Sequence, residues 1–181
     1  MKLFFKNIFC LIIVAVLFSG CGFFYLISAP FVNAKSHALS VKGCRKILQE
    51  FEKDSHYEKY HPDQIGGCYE MLGNAKEALR HYEAGLEGSG LDEDVAKQYH
   101  EHIGDIYYAI GNYKEAVVHY EQSIPPKYYY YEVYMKLGKA YAKSGNINAA
   151  NEQIKFLRSR GIGKQANKIQ DIINDKTQIK K

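Results

Sequence analysis

The chain has 181 residues, with 24 lysines and arginines against 20 aspartates and glutamates. Without Lys2 and Lys6 of the leader, 22 basic residues face 20 acidic ones, too even a balance for a nucleic-acid binder, which needs a one-sided basic field. Sixteen tyrosines, four prolines, no tryptophan and no long β-branched run beyond the leader favour helix over sheet, in a single domain.

Residues 1–20 read as a secretory signal: Lys2 and Lys6 supply the positive start, and residues 8–18 an apolar run of eleven. Leu17, Phe18, Ser19 and Gly20 then precede Cys21, a pattern that resembles the lipobox of bacterial lipoproteins. In that family the cysteine thiol takes a diacylglycerol at the membrane surface, and small neighbours let the peptidase reach the backbone. The resemblance implies a lipidated Cys21, a tether over 21–40 and, because Gly22 is not aspartate, an outer-membrane protein facing the periplasm. Phe18 is bulkier than the usual aliphatic residue, and residues 22–32 stay apolar where such proteins carry a polar tether. A competing reading is an uncleaved transmembrane anchor over 4–27, which holds a single charge, Lys6, and is long enough to span a bilayer. This second reading gives an inner-membrane, single-pass subunit that uses the span and the domain together for assembly. A third is cleavage after Ala34, where Val32, Asn33 and Ala34 form a small-x-small site.

Residues 41–53 place Cys44, Leu48 and Phe51 on one helical face. Three segments then repeat one pattern: IGGCYEMLGNAKEALRHYEAGL over 65–86, IGDIYYAIGNYKEAVVHYEQSI over 103–124, and LGKAYAKSGNINAANEQIKFLR over 137–158. Each has an aliphatic-Gly pair, an aromatic three residues on, Gly-Asn, and an alanine in helical register. Gly66, Gly104 and Gly138 are 38 and 34 residues apart, and the turn over 87–94 absorbs the extra four. These glycines let paired helices approach closely, with Ala78, Ala116 and Ala150 expected opposite them. Gly73, Gly111 and Gly145 end the first helix of each pair in a left-handed conformation. Asn74, Asn112 and Asn146 cap the second, and Glu77 and Glu115 complete capping boxes; Ala149 in that place makes the third turn the weakest.

This pattern resembles the tetratricopeptide repeat, a helix–turn–helix unit of 34 residues. The signature positions fall on Tyr69, Gly73, Ala78 and Tyr82, then Tyr107, Gly111, Ala116 and Tyr120, then Tyr141, Gly145 and Ala150, with Ile154 replacing the last aromatic. The resemblance implies an all-α right-handed superhelix of antiparallel helix pairs over 41–176: a half-repeat at 41–53, repeats at 59–92, 97–130 and 131–164, and a capping helix at 165–175. Eight helices are expected, with Ile169, Ile172 and Ile173 as the inner face of the last.

In this family the first helices line a concave groove. The partner-binding residues implied are Tyr60, Asp63 and Glu70, then Glu101, Asp105 and Tyr108, then Met135, Lys136, Lys139 and Lys143. The surface is expected to change from acidic at the first two units to basic at the third, which would orient an extended peptide. The same charges also read as an ordinary solvated face. Where a chaperone-tail clamp needs lysine and two asparagines, the chain has Asp63, Gly67 and His102, so that ligand is not expected. The tyrosines over 128–131 divide between packing and partner contact.

Chemistry is sparse. Cys10, Cys21, Cys44 and Cys68 form no CxxC pair, and no HExxH, GxSxG or phosphate loop occurs, so no metal, cofactor or small-molecule substrate is expected. Cys44 and Cys68 read either as a disulfide, if the domain is exported, or as two small buried apolar groups. His100 and His102 point to different helix faces, and His81 and His119 hold equivalent repeat positions. The expected object is a non-enzymatic, membrane-tethered adaptor that binds a protein or peptide during assembly of a bacterial envelope complex.

Overall fold

Gly-Asn pairs set the turns of this chain. In the computed structural model, which describes residues 34–54, 56–88, 92–124 and 131–179 (without the side chains of 34–40, 57, 60, 177 and 179), Gly73, Gly111 and Gly145 have φ of 77°, 84° and 95°. The asparagine after each accepts a hydrogen bond from the backbone N–H three residues on: Glu77, Glu115 and Ala149. Each such cap contributes about 1 kcal/mol. The third, without a glutamate, is as short as the others at 3.2 Å. Gly161 makes a fourth left-handed turn, at φ 76°, which the repeat pattern did not predict.

Between these turns run α1 (Ala34–Lys53), α2 (Tyr57–Tyr60), α3 (Pro62–Met71), α4 (Ala75–Glu87), α5 (Glu93–Ala109), α6 (Tyr113–Gln122), α7 (Tyr131–Ser144), α8 (Ile147–Ser159) and α9 (Gly163–Ile179). Helix begins at Ala34, inside the segment expected to be a tether, and α9 outruns the predicted capping helix at both ends. The expected first helix of the first repeat is broken at His61, because Pro62 lacks the N–H that would continue it and starts α3 instead. The leader, with Cys21, lies outside the described residues, and no helix among those described is long and apolar enough to cross a membrane.

Helices pair as α3 with α4, α5 with α6 and α7 with α8; α4 leads onto α5 and α6 onto α7. Buried faces follow the 3.6-residue period: Ala78, His81, Tyr82 and Gly85 on α4, and Val133, Tyr134, Leu137 and Gly138 on α7. Helix α1 packs on α3, and α9 on α7 and α8.

The close approach at each first-helix glycine involves a partner the sequence did not indicate. A Cβ at Gly66 would lie 2.7 Å from the Tyr82 ring, and one at Gly104 2.8 Å from the Tyr120 ring. The expected alanines, Ala78 and Ala116, are fully buried but one turn away from these contacts. The ring reaches the glycine because it sits four residues on, on the same face of the second helix. In the third unit Ile154 replaces the aromatic, and the space over Gly138 is taken by Ile169 from α9 and the Cβ of Gln153. Gly85 is a further close approach: its Cβ would meet the Tyr99 ring at 2.6 Å, where α4 meets α5.

Candidate functional site

The tyrosines that cover the glycines also reach the face formed by α3, α5 and α7. Tyr82 donates its hydroxyl to Glu70 Oε2 at 3.1 Å, and Tyr120 donates to Asp105 Oδ1 at 2.7 Å. Burial, and then the carboxylate each faces, push both phenols far above their ordinary range, so both stay protonated donors. His102 stacks on the Tyr82 ring with centroids 4.9 Å apart.

Lys136 on α7 donates to Glu101 Oε1 at 2.6 Å and to Asp105 Oδ2 at 2.7 Å on α5. Burial alone would lower the Lys136 pKa, yet Asp105 and Glu101 together outweigh it and the ammonium is held above its usual value. Burial raises the Glu70 carboxyl against the opposing pull of the Tyr82 hydroxyl. At the far end Lys139 lies over the Tyr108 ring, 5.3 Å from its centroid. Burial, then Lys168 of α9, lower its pKa.

An open cleft of about 570 Å³ lies where α5 meets α7. Asp94, Lys97, Gln98, Glu101, His102, Asp105 and Lys136 form its polar walls, and Ser123 and Val133 its buried part. Among the described residues no three His, Cys, Asp or Glu side chains converge on a metal position.

The residues expected to contact a partner divide into three groups. Glu101, Asp105 and Lys136 come together, but largely with one another, so Lys136 belongs to the second unit's acidic patch and not to a basic third. Asp63 is exposed, Glu70 and Lys143 are half-buried, and Tyr108 is half-buried between Tyr113 and Lys139. Met135 is a correction: it is only 4% exposed and packs in the core of α7, α8 and α9, because its position on α7 turns inward. The side chain of Tyr60 lies outside the described residues. Of the tyrosine run, Tyr131 packs against the same core as Met135; residues 128–130 lie outside the description.

Residues that the first-helix rule did not select stand beside the expected ones. Lys97, Gln98 and His102 lie on α5 beside the expected positions. Lys168 and Lys176 come from α9, and the Lys176 ammonium is bonded to the backbone carbonyl of Lys143. The basic end is therefore Lys139, Lys143, Lys168 and Lys176. Flanking lysines beside the buried Ile169 and Ile173 were the available signal for α9's share. Tyr69, Tyr107 and Tyr141 are half-buried on the repeat cores, and Tyr107 stacks on His119. Ala150 is fully buried.

Residues 57–125 match the tetratricopeptide repeat family. No curated protein matches the chain. With the helix pairs described above, the fold is an all-α helical repeat of the tetratricopeptide type. Repeats of this type are protein–protein interaction scaffolds and are typically non-enzymatic.

Proposed function

We propose that the protein is a membrane-tethered adaptor that holds an extended protein segment in the groove of α3, α5 and α7 while a bacterial envelope complex assembles. The observation that carries this reading is the order of charge along the stack, acidic on α3 and α5 and basic on α7 and α9. Pairing of Lys136 leaves Asp63, Glu70 and Asp94 to set the potential at one end. Lys139, Lys143, Lys168 and Lys176 set it at the other. A segment with basic residues toward α3 and acidic ones toward α9 fits this arrangement, and opposite charges fix its direction more than its affinity.

The tether rests on the sequence around Cys21. A lipidated Cys21 places the repeats at the outer membrane, facing the periplasm. Two measurements test the proposal. Fluorescence anisotropy with synthetic peptides of matched composition and opposite charge order should show preference for one order, and Lys139→Glu should remove that preference. Equal binding of both orders contradicts an oriented groove. Mass spectrometry of the N-terminal peptide should give a start at Cys21 with acyl mass; a start at Met1 favours the inner-membrane, single-pass reading.

A further inference from the structure

We propose that Cys44 on α1 and Cys68 on α3 form an intramolecular disulfide that staples the N-terminal helix to the first full repeat. Cys44 is 7% exposed and Cys68 3%, and they lie on helices that pack together. Cys44 Sγ is 3.9 Å from Met71 Sδ, one helical turn past Cys68 on α3, so the Cys44 sulfur points at the face that carries Cys68. Both thiols are free in this structure, and the neighbouring Cys44 is among the causes that raise the Cys68 thiol. Met71 is 41% exposed, so the side chain against the Cys44 sulfur itself reaches solvent.

Helix α1 gains most from such a staple. Among the described residues it packs mainly on α3, through the buried Cys44 and the half-buried Ile47, Leu48 and Phe51. A bond across 24 positions of sequence removes loop-closure entropy from the unfolded chain and ties α1 to the array.

The oxidant is a small disulfide such as oxidised glutathione, or a thiol–disulfide exchange protein of an oxidising compartment. Cys44, the more exposed sulfur, loses its proton and attacks one sulfur of that disulfide; one thiol leaves and a mixed disulfide forms. Cys68 then loses its proton and displaces the second thiol. Two protein thiols are oxidised and one external disulfide is reduced to two thiols. Burial, which persists once Cys44 is in the mixed disulfide, raises the Cys68 thiol, so the closing step quickens as pH rises.

The test is incubation of the reduced full-length chain with oxidised glutathione, followed by peptide mapping and thermal melting. The expected result is a peptide linking Cys44 to Cys68, a mass loss of roughly 2 Da from the two hydrogens, and a melting midpoint raised by several degrees. Thiols that stay free until the chain is denatured would overturn the proposal, as would separate glutathione adducts or links from Cys44 or Cys68 to Cys10 or Cys21. In Cys68→Ser the same treatment should leave no linked peptide and no rise in the midpoint. A rise in that variant would assign the stabilisation elsewhere.

Discussion

Gly104 and Lys136 show how single positions divide between packing and surface chemistry. A methyl at Gly104 would lie 2.8 Å from a Tyr120 ring that is itself 1% exposed and bonded to Asp105, so the ring has nowhere to retreat. Gly104→Ala should destabilise the domain by about 1–3 kcal/mol, and Gly104→Leu should unfold the array, both read from urea denaturation midpoints. Lys136 was selected from sequence as a partner contact, but its ammonium holds Glu101 and Asp105 together across two helices. Lys136→Ala should cost about 1.5–3 kcal/mol by the same measurement, whereas Lys139→Glu should leave folding intact and change partner binding. Unfolding by Lys139→Glu would put that residue in the core support and not at the groove. Spacing alone could not separate these lysines, which lie three residues apart on one helix; the difference is a carboxylate pair on α5, supplied by another unit.

Three histidines give the repeats a shared pH response. His81, fully buried and 2.7 Å from both Glu58 Oε1 and Arg80 Nη2, has its pKa lowered first by burial and then by Arg80. His100 and His119, whose Nδ1 atoms are 3.0 Å apart, are lowered chiefly by burial as well. A histidine held neutral in the fold binds fewer protons than in the unfolded chain, whose ordinary value is 6.5. Stability should therefore be full above that value and fall as pH drops below it toward the folded-state values. Glu70, raised by burial above its ordinary 4.5, acts with the opposite sign, its destabilisation relieved as pH falls through the raised value toward 4.5. Melting midpoints from pH 8 to 5 should fall, and His119→Phe should shallow the slope; an unchanged slope would remove that histidine from the account.

Among the elements, α9 does most to complete the last repeat. Ile169 fills the space over Gly138 that tyrosines fill in the earlier units, and it is fully buried. Ile169→Ala should cost about 2–5 kcal/mol by leaving a cavity against α7, with loss of amide protection concentrated in α7, α8 and α9. Protection lost equally from α3 and α4 would mean that the stack does not transmit stability locally, as repeat arrays do. The Gly-Asn turns and apolar periods of these elements were legible because each rests on residues near in sequence. The reach of Tyr82 onto Gly66 and the seating of Ile169 over Gly138 were not. Each depends on which side chain arrives from a neighbouring helix, and that is a property of the packed pair.

For the molecule as a whole, the repeat could be read from the periodicity and its groove-lining helices only from the family resemblance, while the groove's charge could not be summed from a list of first-helix residues. Lys136 cancels acid in the second unit, Met135 turns into the core, and α9 contributes Lys168 and Lys176 to the basic end. The central claim is that this groove is where a partner is held. Its most direct measurement is site-specific photocrosslinking of the full-length protein in its native cells, with a photoreactive residue at Gln98 or His102 in the groove and at the exposed Lys155 of α8 outside it. The account predicts one discrete protein adduct from the groove positions, lost with Lys139→Glu, and none from Lys155. Adducts from Lys155 with none from Gln98 or His102 would contradict it.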